Sequence, residues 1–172
     1  MQDILTCAMG LDIHRDVIVA CLAKGELGAD PEIEIRSFST LIPEMRKLRD
    51  WVLEAECHHV AMESTGIYWQ PIYEMLEPCF DGQISILVVN ARHMKNVPGR
   101  KTDMRDAQWI ATLLRAGLLK GSFIPDKTFR ELRHLTRYRK SIVHDITAQK
   151  NRIDKFLQSS GFRFTAFLSD AF

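Results

Sequence analysis

Four acidic residues in three short segments could perform chemistry together. Asp12 lies in GLDIHRD, Glu63 lies in VAMESTG, and Asp103 and Asp106 lie three residues apart in KTDMRDAQWIA. Residues three apart on a helix share a face, so two aspartates at a helix start repel each other unless something offsets their charge. Ordinary capping by Asp103, with Asp106 favoured by the helix dipole, is one explanation. A divalent metal ion is the other, and one carboxylate can both cap and ligate.

The chemistry that four carboxylates support is metal-dependent phosphoryl transfer. Two Mg²⁺ ions roughly 3.5–4 Å apart would offset the mutual repulsion of such a group and clamp a phosphate. Ligation by oxygen alone favours Mg²⁺ or Mn²⁺ over Zn²⁺. We therefore predict that the catalytic and metal-binding residues are Asp12, Glu63, Asp103 and Asp106.

The hydrophobic pattern predicts the elements that would position these acids. Apolar runs with strand character cover residues 6–13, 16–23, 32–38, 58–64 and 83–89, and helical spacing covers residues 41–55, 67–78 and 103–116. The resulting order is β-β-β-α-β-α-β-α, in which a meander leads into a βαβαβ unit. We therefore predict an α/β, ribonuclease-H-like mixed sheet with flanking helices.

This order predicts that the acids meet at one edge of the sheet. Asp12 ends the first predicted strand, Glu63 ends the fourth, and Asp103 and Asp106 open the helix after the fifth. The carboxyl ends of parallel strands are where ligands bind in open α/β sheets. The four carboxylates therefore come from separate parts of the chain to the same edge.

A long helical pattern follows over residues 129–157. Its apolar positions recur with the spacing of a coiled-coil seam that contains one polar residue. The seam consists of Leu135, Ile142, Ile146, Gln149, Ile153 and Phe156. We predict two domains, a catalytic domain over residues 1–122 and a helical arm over residues 123–172, with the arm forming a homodimer or a higher homo-oligomer.

The charge is distributed unevenly between the two parts of the chain. Residues 1–96 contain 8 basic and 15 acidic residues, whereas residues 97–172 contain 15 basic and 7 acidic residues. A basic segment beside an acidic one favours a polyanionic partner, although the two parts could also attract each other. The candidate nucleic-acid contacts are Arg92, Lys95, Arg100, Lys101 and Arg105 around the acidic motif, and Arg133, Arg137 and Lys140 on the long helix. A solvated charged face, or the outer charges of a coiled coil, is the alternative.

Composition indicates an ordinary globular protein. Hydrophobic residues make up 46% of the chain and charged residues 26%. No apolar run approaches the length of about eighteen residues that a membrane span needs, and the first residues do not resemble a signal peptide. The cysteines show no CxxC pairing, which favours a reducing cytoplasm.

The three acidic segments also carry a family resemblance. GLDIHRD, ESTGIYW and KTDMRDAQWIA resemble, in order and rough spacing, the three motifs of the DEDD transposases of the IS-one-ten family of bacterial insertion sequences. The resemblance places the family's acidic tetrad on Asp12, Glu63, Asp103 and Asp106. It implies a domain similar to the resolvase RuvC, DNA as substrate, guidance by a structured RNA, and use at the bacterial nucleoid.

The resemblance also implies something that this chain does not show. Members of the family continue into a C-terminal domain with a nucleophilic serine, whereas this chain ends at Phe172. We therefore expect a fragment, and leave open whether it acts alone. Two other functions are kept as alternatives: a RuvC-like Holliday-junction endonuclease, and a non-catalytic nucleic-acid-binding dimerisation module.

Overall fold

The computed structural model describes residues 3–64, 66–80, 85–90 and 106–163. It divides into two compact units, Met1–Phe123 and Ile124–Phe172, and each is described by itself. The strands are β1 (Cys7–Ile13), β2 (Val17–Lys24), β3 (Glu32–Ser39), β4 (His59–Glu63) and β5 (Ser85–Val89). The helices are α1 (Ile42–Glu54), α2 (Trp69–Leu76), a 3₁₀ turn (Glu77–Phe80), α3 (Asp106–Arg115) and α4 (Lys127–Ser159).

The first unit is built on one five-stranded mixed sheet with the spatial order β3-β2-β1-β4-β5. β1, β2 and β3 pair antiparallel, and β4 and β5 pair parallel to β1 and to each other. This is the ribonuclease-H-like arrangement predicted from the sequence, and the order of the elements is confirmed. β1 and β4 are therefore adjacent parallel strands in the middle of the sheet.

The two faces of the sheet are covered by different helices. α3 packs on one face, where its Ile110 and Leu114 join Ala8, Ala61 and Val89 in a buried cluster. α1 packs on the other face, where the rings of Trp51 and Phe38 lie 6.0 Å apart between centroids. Because both faces are buried, the central strands are almost continuously apolar, as is typical of parallel strands covered on both sides.

The end of α3 is held by a buried arginine that sequence reasoning did not single out. Arg115 is 1% exposed. Its guanidinium donates to the carbonyl oxygens of Leu5, Gly25 and Glu26 at 2.9, 3.2 and 2.7 Å, and it lies 3.4 Å from the carboxylate of Asp3. These bonds join α3 to the start of β1 and to the turn after β2.

Some predicted element ends differ from the structure. The helix predicted over residues 67–78 begins at Trp69 and gives way to a 3₁₀ turn at Glu77. The long helix is longer than predicted, running from Lys127 to Ser159, and the Asp126 side chain caps it by accepting from the Phe129 backbone N–H at 3.1 Å. Helix ends depend on such local capping bonds, which hydrophobic spacing does not reveal.

The second unit consists mainly of α4. Except for Arg130, its helical residues are exposed or half-buried within the unit. The apolar residues of the predicted seam are exposed to solvent, including Leu135 at 65% and Phe156 at 71% exposure. Among the described helices of the chain, none is long and apolar enough to cross a membrane.

Candidate functional site

Asp12 and Glu63 lie at neighbouring strand ends. Leu11 of β1 pairs in register with Met62 of β4, so the next residue on each strand, Asp12 and Glu63, occupies an equivalent place at the carboxyl end. Paired residues of parallel strands point to the same face of the sheet, and the face alternates along each strand. Both carboxylates therefore project from the face that carries Gly10 and Ala61, which is the face that α3 covers.

Asp106 begins α3 at the same end of the sheet. An ideal Cβ on Gly10 would lie 2.2 Å from the Ala107 carbonyl oxygen, so the first turn of α3 crosses β1 at Gly10. The last residue of α3 accepts backbone hydrogen bonds from Ile4 and Leu5, before β1 begins. α3 thus runs antiparallel to β1, and its amino end, with exposed Asp106, lies toward the end where Asp12 is.

Small residues permit this close packing. Gly10 faces the backbone of α3 directly, and Ala107 and Ala111 are the helix residues buried against β2, next to Cys21 and Ala23. A larger side chain at these positions would push the helix off the sheet. Ala107 and Ala111 therefore allow α3 to pack closely on the sheet, and Asp106 is the first residue of the same helix.

A histidine not predicted from the sequence contacts one of the acids. His14 Nε2 lies 3.2 Å from Asp12 Oδ2. The Asp12 side chain is 15% exposed and that of His14 is 59% exposed, so the imidazole stands on the solvent side of the carboxylate. His14 directly follows the last residue of β1, and an i, i+2 spacing that continues the strand could have indicated this contact, because both side chains would leave on the same side.

The donor set suits a hard divalent cation, although the complete set lies partly outside the described residues. Asp12, Glu63 and Asp106 offer only carboxylate oxygens, which are the ligands Mg²⁺ and Mn²⁺ prefer. Asp103 lies outside the described residues. Within the ranges that the structure describes, no three acidic, histidine or cysteine side chains form a group that could hold a metal ion. The tetrad therefore stays a prediction.

The predicted nucleic-acid contacts fall in two groups. Five of them lie outside the described residues: Arg92, Lys95, Arg100, Lys101 and Arg105. Arg133, Arg137 and Lys140 lie on α4 and are exposed. Their spacing of four and three residues places these three cations on one side of the helix.

The chain matches one protein family over most of its length. A model of DEDD transposases of the IS110 type, described as transposase, matches residues 9–161. The chain belongs to this transposase family. The match includes Asp12, Glu63, Asp103 and Asp106, and it extends through α4.

One individual relative matches a part of the chain. A Sinorhizobium fredii protein provisionally named transposase y4qE is 36% identical over 61 residues, which are 36% of this chain and 16% of that protein. The chain therefore spans a small part of the length of the curated relative that it matches.

Two solved structures with a similar fold are resolvases. Thermus thermophilus RuvC is 12% identical, with a TM-score of 0.44 over 67% of this chain and 99% of RuvC. The Fowlpox virus resolvase, in complex with Holliday-junction DNA, is 10% identical, with a TM-score of 0.45 over 64% of this chain and 96% of the resolvase.

Proposed function

We propose that this chain is the catalytic part of a DNA recombinase of an insertion sequence, cleaving and exchanging DNA strands with Mg²⁺ or Mn²⁺. Family membership supports the reaction class. The observation that carries the site is the placement of Asp12 and Glu63 on one face, at adjacent carboxyl ends, where α3 begins with Asp106.

The proposed metal ligands are Asp12, Glu63, Asp103 and Asp106. When bound, the divalent ion supplies positive charge that orients and polarises a DNA phosphate. The fold of the chain fixes the positions of three of these carboxylates. The register of β1 and β4 sets the spacing of Asp12 and Glu63, and the packing of α3 on Gly10 sets the position of Asp106. His14 restrains the Asp12 carboxylate by its contact with Oδ2.

DNA is the proposed substrate, and basic side chains are the proposed contacts. Arg133, Arg137 and Lys140 form an exposed cationic side of α4 that suits phosphate oxygens. Arg92, Lys95, Arg100, Lys101 and Arg105 are proposed to contact the backbone near the acids. Such contacts fix position on DNA and weaken steeply with added salt.

The finer parts of the proposal rest on the family resemblance. They are a nucleophilic serine from a further domain, a structured guide RNA, and active sites composed from different protomers. The proposal places the reaction at the bacterial nucleoid, in the cytoplasm.

Metal binding tests the proposed site directly. We expect calorimetry to detect Mn²⁺ or Mg²⁺ binding by the wild-type chain, and Asp106→Asn to weaken it by at least about tenfold, since even outer-shell changes cost that much. Asp16→Asn is the matched control, because Asp16 lies three residues after the end of β1 on an exposed turn, with its side chain 88% exposed. It should bind as the wild type does.

The outcomes separate the candidate functions. Equal binding by wild type and Asp106→Asn would remove Asp106 from the site. If no metal binds with or without DNA, and DNA binding is unaffected by Mg²⁺ and by the acid variants, the chain is a binding module. Cleavage of four-way junctions by this chain alone would favour a junction endonuclease with a water nucleophile.

α4 carries the proposed homodimer. Its exposed apolar residues Ile142, Ile146 and Ile153 follow seam spacing, and a second copy would bury them. We expect sedimentation to give a dimer or larger species, and Ile146→Glu to give monomer, because a buried unpaired charge is costly. Ser141→Glu, at an exposed position off the seam, should leave the assembly intact. A wild-type monomer at every concentration tested would contradict the proposal.

A further inference from the structure

We propose that Cys7 and Cys57 form an oxidisable thiol pair, in which a hydroperoxide closes a disulfide between the start of β1 and the turn before β4. Both cysteines are free thiols in the structure. The pair lies at the amino ends of the two strands whose carboxyl ends hold Asp12 and Glu63. The proposal does not depend on the proposed recombinase function.

Backbone geometry brings the two residues together. β1 and β4 are paired in parallel with Met9 opposite Val60, and continuing this register places Cys7 opposite His58, the residue that follows Cys57. Cys57 precedes β4 by two residues, and its N–H donates to the Val52 carbonyl at 3.2 Å. The turn there is sharp, since Glu56 has a φ of 53°.

The side chains interact in a way that agrees with this approach. The Cys57 thiol donates to the His59 carbonyl oxygen at 3.3 Å, and it interacts with the Cys7 sulfur. Lys24 is the residue opposite Cys7 on β2, and its ammonium donates to the Ala55 carbonyl oxygen at 3.4 Å. The lysine therefore reaches from β2, beside Cys7, to the turn that presents Cys57.

The two thiols differ in exposure, as an attacking and a resolving cysteine should. Cys7 is partly exposed and Cys57 is fully buried at 0%. A small oxidant can therefore reach Cys7 directly. Cys57 is protected from the oxidant but lies against the sulfur that would be oxidised.

Electrostatics give Cys7 thiolate character. The hydrogen bond from Cys57, followed by the nearby cations Lys24 and Arg115, lowers the pKa of Cys7 to about 7, against an opposing effect of burial. The same hydrogen bond and burial raise the pKa of Cys57. The thiolate is the nucleophile in thiol oxidation, and a thiol with a pKa near ambient pH attacks fastest.

The oxidation balances in two steps. The Cys7 thiolate attacks one oxygen of hydrogen peroxide, the O–O bond breaks, and Cys7 becomes a sulfenic acid with release of hydroxide. The Cys57 sulfur then attacks the Cys7 sulfur, forming the S–S bond as the S–O bond breaks, and its proton leaves with the oxygen as water. Peroxide is reduced by two electrons and the two thiols supply them.

Peptide mapping after peroxide treatment tests the proposal. The chain is treated with hydrogen peroxide at neutral pH, remaining thiols are blocked with maleimide, and the digest is analysed by mass spectrometry. We expect a linked Cys7–Cys57 peptide pair, lighter by two hydrogen atoms and separated again by dithiothreitol. Before oxidation, Cys7 should react with iodoacetamide at pH 7 about threefold faster than an ordinary cysteine, whose pKa is about 8.5, because the larger thiolate fraction outweighs the lower nucleophilicity of a thiolate of lower pKa.

The chain's other cysteines are internal controls. Cys79 is also partly exposed, with its thiol donating to the Met75 carbonyl at 3.2 Å, and Cys21 is buried. Cys79→Ser should leave the linked peptide unchanged. Cys7→Ser should remove the linked peptide without disturbing the buried core. Cys57→Ser should instead leave a Cys7 sulfenic acid that dimedone captures.

Two results would overturn the proposal. One is oxidation of Cys7 no faster than that of Cys79, with no linked Cys7–Cys57 peptide from the folded wild-type chain. The other is a Cys7 disulfide that forms only between two copies of the chain. Both are read from the wild type, so they hold even if Cys57→Ser fails to fold.

Discussion

If the proposed recombinase function holds, Glu63→Gln should abolish DNA excision by the protein while leaving the protein folded. Glu63 ends β4 beside the end of β1, and glutamine keeps its shape but removes the charge that we propose holds a divalent cation. The cation contributes several kcal/mol to the transition state of phosphoryl transfer. Each loss of about 1.4 kcal/mol costs tenfold in rate, so excision should fall by at least about a thousandfold.

The measurement is excision in bacteria that carry the complete element, with the joined donor DNA counted by sequencing. Glu54→Gln is the matched control, because it makes the same chemical change at an exposed position at the end of α1, elsewhere in the same unit. It should excise as the wild type does. DNA binding by Glu63→Gln, measured by gel shift, should persist, which separates a loss of chemistry from a loss of substrate.

Two results would argue against a catalytic role for Glu63. If Glu63→Gln excises within tenfold of wild type, the carboxylate is not part of the metal site. If both Glu63→Gln and Glu54→Gln lose excision together with their melting transition, the effect is on folding. A loss of excision confined to Glu63→Gln, with unchanged melting, is the result that the geometry predicts.

Local patterns were sufficient to predict the strands of the sheet and the position of Asp12 and Glu63 near strand ends. Strands separated by short turns must pair with their neighbours, and the apolar run at β5 requires a position covered on both faces. The adjacency of β1 and β4 is non-local, and only the ribonuclease-H-like order of the elements as a whole indicates it. The contact of Asp12 with His14 is equally local, and the period-two pattern of a strand could have indicated it.

The contacts that the sequence did not predict join residues far apart in the chain. Arg115 donates to Leu5 across 110 positions of sequence, and Cys7 meets Cys57 only because β1 and β4 are paired. A single sequence carries no record of which distant residues meet. From the sequence alone, an arginine in the last turn of α3 would be interpreted as an ordinary solvated cation. In the fold, Arg115 is buried and its guanidinium donates three hydrogen bonds to backbone carbonyl oxygens.

Gly10→Ala should be the most destabilising single change at the base of the site, by about 3 kcal/mol or more. In the interior of a strand, alanine is normally preferred over glycine by a fraction of a kcal/mol. Here the added Cβ would lie 2.2 Å from the Ala107 carbonyl oxygen and 2.4 Å from the Ala111 nitrogen. Both atoms are helix backbone, so no rotamer change can relieve the clash and α3 must move.

Gly28→Ala is the control for Gly10→Ala. Gly28 has a φ of +84° in the turn after β2, and a Cβ there meets nothing within 4 Å. Gly28→Ala should therefore lower the free energy of unfolding only by the penalty for a left-handed backbone conformation, about 1 kcal/mol. Urea unfolding of both variants measures the difference, and equal losses would show that α3 does not rest on Gly10.

The displacement of α3 also links stability to the site. Any Gly10→Ala protein that still folds must hold α3 farther from β1, so Asp106 at its first residue lies farther from Asp12. Metal affinity should then fall in Gly10→Ala even at temperatures where the chain is folded, whereas Gly28→Ala should bind as the wild type does. If the folded Gly10→Ala protein binds metal with unchanged affinity, the packing of α3 on Gly10 does not set the position of Asp106.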